Sequence, residues 1–159
     1  MADTQTESAP NIARPTVSHM LGELTWLLSQ SPTHKHFTFG DMEWMLLPPV
    51  TLEQYRVFRG KGQPIGYAMW AYLSEDTEKR LIADAENGAA VRLRPDEWKS
   101  GDRLWLIDLV IPKDTEEGHL AKACLTELFS TALKNRRVKF HKTDPDTGQR
   151  QLVELGSDG

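Results

Sequence analysis

Residues 103–112 read Arg-Leu-Trp-Leu-Ile-Asp-Leu-Val-Ile-Pro, an apolar run that one acid, Asp108, interrupts. The length and composition of this run are typical of a strand that is buried on both faces of a sheet. An ionised carboxylate in such a strand is costly unless a donor such as histidine or arginine lies against it. Asp108 is therefore a candidate for either a structural ion pair or a functional site.

An amphipathic helix is predicted upstream, beginning at Thr16. Its apolar residues recur every three or four positions, and Pro32 ends it because proline disfavours helical backbone in the residue before it. His34 then falls on the loop beyond the helix, where side chains often point into a cleft. A carboxylate partner fixes a histidine in one tautomer, which suits a general base. A pair of His34 with Asp108 would both satisfy the acid and orient the imidazole.

The remaining pattern predicts two strand pairs and two further helices. Pro48-Pro49 is expected to close an ambiguous apolar segment, 39–47. Ser74 is expected to cap a helix that has three acids in its first turn. The predicted strands are 54–59, 64–73, 138–142 and 151–155, and the predicted helices are 74–85 and 116–134. This order predicts an α/β (α+β) fold over residues 16–156, a single domain with a mixed central sheet flanked by helices.

Composition predicts a cytoplasmic protein and disfavours several functional classes. Residues 1–15 are rich in small and polar residues and are predicted to be a disordered leader. No apolar run approaches the ~20 residues of a membrane span, and no secretory signal pattern is present. The single cysteine, Cys124, excludes a disulfide within the chain. A net charge of -4 argues against nucleic acid as a partner, because nucleic acid favours a net basic surface.

Two other kinds of site receive less support from the residues. A hydrolytic triad through Ser31 is disfavoured because the Gly-x-Ser-x-Gly elbow is missing. No metal site is predicted, because the sequence has neither a cysteine pair nor a His-Glu-x-x-His motif. A basic segment near the C-terminus is interpreted either as a solvent-exposed surface or as a docking surface for an acidic protein partner. Its members are Lys134, Arg136, Arg137, Lys139 and Lys142.

Three stretches in combination resemble one known family. They are residues 21–27 (LGELTWL) leading to 31–34 (SPTH), residues 64–74 (PIGYAMWAYLS), and residues 98–108 (WKSGDRLWLID). Together they closely resemble the RTX toxin-activating lysine acyltransferases, and the similarity runs from about residue 21 to about residue 155. The resemblance implies a fold similar to that of the GCN5-related N-acetyltransferases.

The resemblance also implies an activity and the residues that carry it. Members of the family move a fatty acyl group from acyl carrier protein to internal lysines of an RTX protoxin in the cytoplasm. The donor would be a 4′-phosphopantetheine thioester, with no bound cofactor. Some members of the family form homodimers, and the oligomeric state of this chain is left open. The family's essential histidine follows Ser-Pro-x and falls on His34, while its essential aspartate ends the Gly-Asp-Arg-x-Trp-x-x-Asp pattern and falls on Asp108. Ser31 and Arg103 are further candidates for substrate binding or for the oxyanion.

This activity places a clear demand on the site. A lysine ammonium is not a nucleophile, so a base must take its proton as it attacks the thioester. We expect His34 to be that base and Asp108 to orient it and stabilise its protonated form. An acyl-histidine intermediate is an alternative to direct transfer.

The donor is expected to be a carrier protein rather than coenzyme A. The segment 113–119, ahead of the late helix, has one glycine and three acids, which disfavours a pyrophosphate at that helix. An acidic carrier would instead dock at Arg136 and Arg137.

Two alternative functions stay open. One is a coenzyme A-dependent N-acetyltransferase on the same fold, which the acidic segment disfavours. The other is a non-catalytic escort that binds a secreted RTX protein before export. An escort would keep its biological activity when His34 or Asp108 is replaced, whereas a catalyst would lose it.

Overall fold

A computed structural model describes residues 15–90, 92–114, 118–144 and 146–156. Within these ranges five strands form one mixed sheet in the order β1-β2-β3-β4-β5. Neighbouring strands are antiparallel except β3 and β4, which are parallel. The strands are β1 (Tyr55–Gly60), β2 (Gln63–Leu73), β3 (Arg103–Val110), β4 (Val138–Thr143) and β5 (Arg150–Leu155). The predicted α+β fold with a mixed sheet is confirmed.

Helices cover both faces of this sheet. They are α1 (Val17–Ser29), α2 (Met42–Met45), α3 (Leu47–Thr51), α4 (Glu75–Glu86) and α5 (His119–Ser130), with short 3-10 turns at Phe39–Asp41 and Pro95–Glu97. The first four pack on one face, where Leu24, Leu46 and Leu81 belong to a core with Trp105. The fifth packs Leu128 on the opposite face. Apart from Pro15, the predicted leader lies outside the described residues, and the domain bounds stay a prediction.

The first helix forms where its apolar spacing predicts. The Thr16 hydroxyl caps it by accepting the backbone amide of His19 at 3.2 Å. Its apolar stripe is buried against the sheet, and Ser29 is its last residue. The chain then turns, so His34 lies on the loop beyond the helix, as predicted.

The expectation that Pro48-Pro49 closes a segment is wrong. The apolar stretch before it folds into the 3-10 turn and α2, and the two prolines lie in the first turn of α3. Proline is tolerated there because the first amides of a helix have no acceptor within the helix. The two short helices place Met45 and Leu46 beside α1.

A buried carboxylate joins α4 to the middle of the sheet. Glu78 accepts hydrogen bonds from the guanidinium of Arg103 at 2.7 Å, the indole of Trp105 at 2.7 Å and the ammonium of Lys139 at 3.2 Å. Burial opposes ionisation, but these donors outweigh it and hold the pKa of Glu78 below its usual range. The network fixes the point where β3 meets β4, at the register pair of Trp105 with Lys139.

Candidate active site

A β-bulge determines where Asp108 points. In the register of β2 and β3, Met69 is opposite Asp108, but the next residue, Trp70, is opposite Leu106. Ile107 is therefore the extra residue of a bulge, which shifts the alternation of side chains along β3 by one position.

This shift brings Asp108 to the face of the sheet that α1 covers. In a regular strand it would share a face with Leu106, which belongs to the core under α5. The bulge moves it to the face of Trp105 instead. Tyr67 lies on that same face, completely buried, and its phenol donates to Asp108 Oδ2 at 3.1 Å.

The expectation of a strand buried on both faces is correct for the first half of β3 and wrong at Asp108. Leu104, Trp105 and Leu106 are buried, whereas the Asp108 side chain keeps 27% of its surface exposed. Among the described residues, β3 has a register pair with β4 only at Trp105 and Lys139, so the edge of β3 beside Asp108 has no paired strand. Solvent and substrate can therefore reach the carboxylate.

His34 faces this carboxylate from the loop after α1. Its backbone amide donates to the carbonyl of Ser31 at 3.1 Å, which forms the turn that carries it. Its Nε2 lies 3.5 Å from Asp108 Oδ2, and its ring stacks on Phe37 with 5.5 Å between centroids. This separation exceeds the usual N–H···O range of about 2.7–3.2 Å. The two residues that the sequence singled out are therefore adjacent, one small movement short of a direct hydrogen bond.

Two hydroxyls lie within hydrogen-bond distance of the other imidazole nitrogen, Nδ1. Ser31 Oγ lies 2.7 Å and Thr33 Oγ1 lies 3.0 Å from His34 Nδ1. Ser31 is itself buried, at 5% exposure. Hydroxyl and acid thus contact opposite nitrogens of one ring, the same topology as in a Ser-His-Asp arrangement. This gives Ser31 a stronger position in the site than its place in the sequence indicated.

Tyr67 and Thr33 are site residues that the sequence analysis did not identify. Both lie within the stretches that carried the family resemblance, Thr33 between proline and histidine and Tyr67 in the second stretch. A tyrosine in the middle of a buried strand reads as a core residue, and only the tertiary contact with Asp108 shows the direction of its hydroxyl.

The three predicted arginines lie outside this group. Arg103 precedes Asp108 by five positions on β3, roughly 17 Å along a strand, and its guanidinium pairs with Glu78. Arg136 and Arg137 are exposed on the segment before β4, where Arg137 Nη1 lies 3.6 Å from Glu154 Oε1. Arg103 is therefore not placed to stabilise an oxyanion at His34.

An open, mainly apolar cleft of about 420 Å³ begins at His34. The buried side chains among its lining residues are Leu28, Met45 and Leu46. Phe39, at 86% exposure, and Lys35 form part of its outer wall. The site thus places an imidazole and an apolar surface side by side.

Other chemistries find little support in the part of the chain that the structure describes. It holds no group of three or more His, Cys, Asp and Glu side chains arranged for a metal ion. Burial raises the pKa of the Cys124 thiol to about 11, so this thiol is protonated near neutral pH. Among the described helices none has the length and apolar character needed to cross a membrane.

Comparison with known proteins gives one family. The model described as the RTX toxin acyltransferase family (HlyC) matches residues 13–155. The leukotoxin-activating lysine-acyltransferase LktC of Mannheimia haemolytica is 38% identical over 94 residues, 59% of this chain and 53% of that protein. The RTX-II toxin-activating lysine-acyltransferase ApxIIC of Actinobacillus pleuropneumoniae is 32% identical over 131 residues, 82% of this chain and 77% of that protein. The protein-lysine palmitoyltransferase CyaC of Bordetella bronchiseptica is 31% identical over 120 residues, 75% of this chain and 62% of that protein. The chain spans about half the length of the Mannheimia protein.

Proposed function

This chain belongs to the RTX toxin acyltransferase family, and from that premise we propose that it transfers a fatty acyl group from acyl carrier protein to internal lysines of an RTX protoxin. One observation carries the proposal: His34 lies 3.5 Å from Asp108 and also lines the apolar cleft. A base and an apolar surface in one place are what transfer of a fatty acyl group to an amine requires.

The chemical step follows from the needs of the lysine. The lysine ammonium first releases one proton to water, and the neutral Nζ then attacks the carbonyl carbon of the thioester. His34 takes a second proton from this nitrogen as the C–N bond forms and the C–S bond breaks. The proton then passes from the imidazole to the departing thiolate, which leaves as the thiol of the carrier's 4′-phosphopantetheine. Asp108 stabilises the imidazolium between these two steps, and the donated hydrogen bond from Tyr67 holds its carboxylate in place.

Ser31 has two roles open to it beside Nδ1. At 2.7 Å it can relay the lysine proton to the imidazole, or its own oxygen can accept the acyl group first. The two routes differ when donor is supplied alone. An acyl-enzyme that intact-protein mass spectrometry detects without protoxin, and that Ser31→Ala abolishes, indicates the covalent route.

The start of α5 supports a carrier-protein donor over coenzyme A. The Asp114 carboxylate accepts the backbone amides of Leu120 at 2.9 Å and Ala121 at 3.1 Å. These are the helix N-terminal amides that would otherwise be available to a pyrophosphate, and an acid already on them repels it. The acids expected at 115–117 lie outside the described residues. The coenzyme A-dependent N-acetyltransferase is therefore the less favoured alternative.

The location and partners follow from the same proposal. Both acyl carrier protein and an unexported protoxin are met in the cytoplasm, so we place the protein there. The exposed pair Arg136 and Arg137 is the proposed dock for the acidic carrier. Whether the chain forms a homodimer is tested by sedimentation velocity on the purified protein.

Co-expression with an RTX protoxin from the same locus, followed by peptide mass spectrometry, tests the activity. We expect acylated lysines with the wild-type chain, and a loss of at least about a hundredfold with His34→Ala or Asp108→Asn. His19→Ala is the control, because this histidine is exposed on α1 and pairs with Glu23 away from the site. Binding of protoxin without any acylated lysine would overturn the proposal and favour the escort alternative.

A further inference from the structure

We propose that the cleft beside His34 holds the saturated acyl chain of the donor, and that Met45 in its floor sets the chain length that the enzyme prefers. This inference rests on the proposed acyl transfer and names the subsite that would serve it. The occupant is one chemical class, an unbranched fatty acyl chain whose thioester end lies at His34.

The lining of the cleft supports this occupant. A chain attached to a carbonyl at His34 must leave the reacting centre along some surface, and the apolar cleft begins at that same residue. Its volume of about 420 Å³ lies within the range of about 300–1,000 Å³ that is usual for small-molecule sites. Phe39 is 86% exposed at its outer wall, and it adds apolar surface that a bound chain would cover.

Met45 is the floor residue best suited to limit the chain. Leu28, Met45 and Leu46 all belong to one core cluster, but Leu28 stands on the long helix α1 and Leu46 is completely buried, so both have less room to adapt than an unbranched side chain on a short helix. Met45 stands on α2, a helix of four residues, and is 8% exposed. Its unbranched thioether is flexible and adapts to the shape of what it contacts. A shorter side chain at position 45 should lengthen the space available to the acyl chain, and a larger one should shorten that space.

Transfer from a series of acyl carrier protein donors tests the assignment, with lauroyl, myristoyl, palmitoyl and stearoyl chains compared by kcat/KM. Each methylene that gains or loses burial changes binding about fourfold. We expect Met45→Ala to raise the stearoyl-to-myristoyl ratio about tenfold, and Met45→Phe to lower it by a similar factor.

Met20→Ala is the matched control. Met20 is 3% exposed in the same core cluster, but it does not line the cleft. Its loss removes the same atoms and so reproduces any general loosening of the fold without changing the subsite. An unchanged ratio in both Met45 variants, or an equal change in Met20→Ala, would overturn the role of Met45.

A binding assay separates this inference from the proposed reaction. If the wild-type chain transferred no acyl group from any donor, the proposed function would fail, but free palmitate binding would still report on the cleft. We expect Phe39→Ser to weaken palmitate binding at least about fivefold, because an exposed apolar contact is lost. Trp26→Ser, which removes another exposed aromatic ring outside this cleft, should bind palmitate as the wild type does. Wild-type affinity in Phe39→Ser would count against the subsite whatever the activity.

Discussion

The two ring nitrogens of His34 lie beside different chemical groups. Nε2 faces a carboxylate oxygen at 3.5 Å, while Nδ1 contacts the hydroxyls of Ser31 and Thr33 within 3.0 Å. A ring held in this way cannot flip without losing contacts on both sides. In the proposed reaction, the nitrogen beside Ser31 would be the one to take the lysine proton, with the proton of the neutral imidazole on Nε2, facing Asp108.

Tyr67 is predicted to act through Asp108. Burial, and then the negative charge of Asp108, raise the pKa of the phenol well above its usual value, so it remains a hydrogen-bond donor throughout the working range of pH. A hydrogen bond to a charged group contributes about 1.5–3 kcal/mol. We expect Tyr67→Phe to lower kcat for acyl transfer about tenfold, with KM for the acyl donor changed less than about twofold.

Tyr72→Phe is the matched control for this prediction. Tyr72 lies on the same strand, on the opposite face of the sheet, and packs against the core under α5. Circular dichroism melting of both variants reports any loss of stability separately. A wild-type kcat in Tyr67→Phe, or an equal loss in Tyr72→Phe, would show that the phenol does not serve the site.

The sequence predicted the pair of His34 and Asp108 but not the way they meet. A lone acid in an apolar run and the family resemblance both pointed to Asp108. The bulge at Ile107 could not be predicted, because it depends on the register with β2 and leaves no turn-forming residue in β3. The partners Tyr67 and Thr33 were missed for the same reason, since hydroxyl direction is a tertiary property.

The helices and strands that could be predicted from the sequence are those with capping or turn-forming residues at their ends. The helix α4 begins after Ser74, whose hydroxyl accepts the amide of Thr77, and it has acids in its first turn, as predicted. The hairpin of β1 and β2 follows from its turn residues. The late helix ends at Ser130, earlier than its apolar spacing suggested, because residues 131–135 turn back so that the Leu133 amide bonds to the carbonyl of Leu128. The spacing of apolar residues alone does not distinguish a helix that continues from a turn that buries the next leucine.

The link between α4 and the sheet carries a prediction about stability. Glu78→Gln keeps the shape of the side chain but removes the charge that three donors share. We expect the free energy of unfolding at pH 7 to fall by about 2–3 kcal/mol, measured by urea denaturation. Glu75→Gln is the control on the same helix, because this acid is largely exposed, and we expect little change from it.

The pH dependence of this difference has a defined sign. The pKa of Glu78 is lowered in the fold from its usual value of 4.5, so its contribution is present above that value and lost as the pH falls through the folded pKa. The wild type and Glu78→Gln should therefore differ by a constant amount between neutral pH and about pH 5, and the difference should shrink below that pH and vanish only once the pH has fallen below the lowered folded pKa of Glu78. A difference that persisted unchanged in acid would mean that the charge of Glu78 does not stabilise the link.

At the scale of the whole molecule, basic residues gather at the β4 and β5 end of an otherwise acidic protein. Lys134 and Arg136 are exposed there, and the net charge of the chain is -4. A local basic surface of this kind steers an acidic partner more than it holds one. Of the five basic residues that the sequence grouped, Lys139 instead pairs with the buried Glu78 at 3.2 Å, and the role of the others as a dock stays a prediction.

The docking proposal is tested by reversing charge on this surface. The double variant Lys134→Glu and Arg136→Glu should raise KM for acyl carrier protein about five- to tenfold at low salt, with kcat nearly unchanged, because encounter rather than chemistry is affected. Lys61→Glu, in the exposed turn between β1 and β2, reverses one charge at the other side of the sheet and is compared with each single variant, Lys134→Glu and Arg136→Glu. Steady-state kinetics at two salt concentrations measure all of these variants, and an effect of Lys61→Glu equal to those of the single variants would argue against a specific dock.

The bulge in β3 places two residues, Ile107 and Asp108, where a regular strand would place one residue opposite Met69, so the acid comes with an added position and does not replace a core residue. Without Asp108, the strand would alternate without a break, with Trp105, Ile107 and Val110 facing one layer and Leu106 and Leu109 facing the other. No core position was given up to accommodate a charge. The two apolar layers can therefore be altered side chain by side chain while the acid keeps its place. The acid of the site and the apolar residues of the core thus occupy different positions of the same strand.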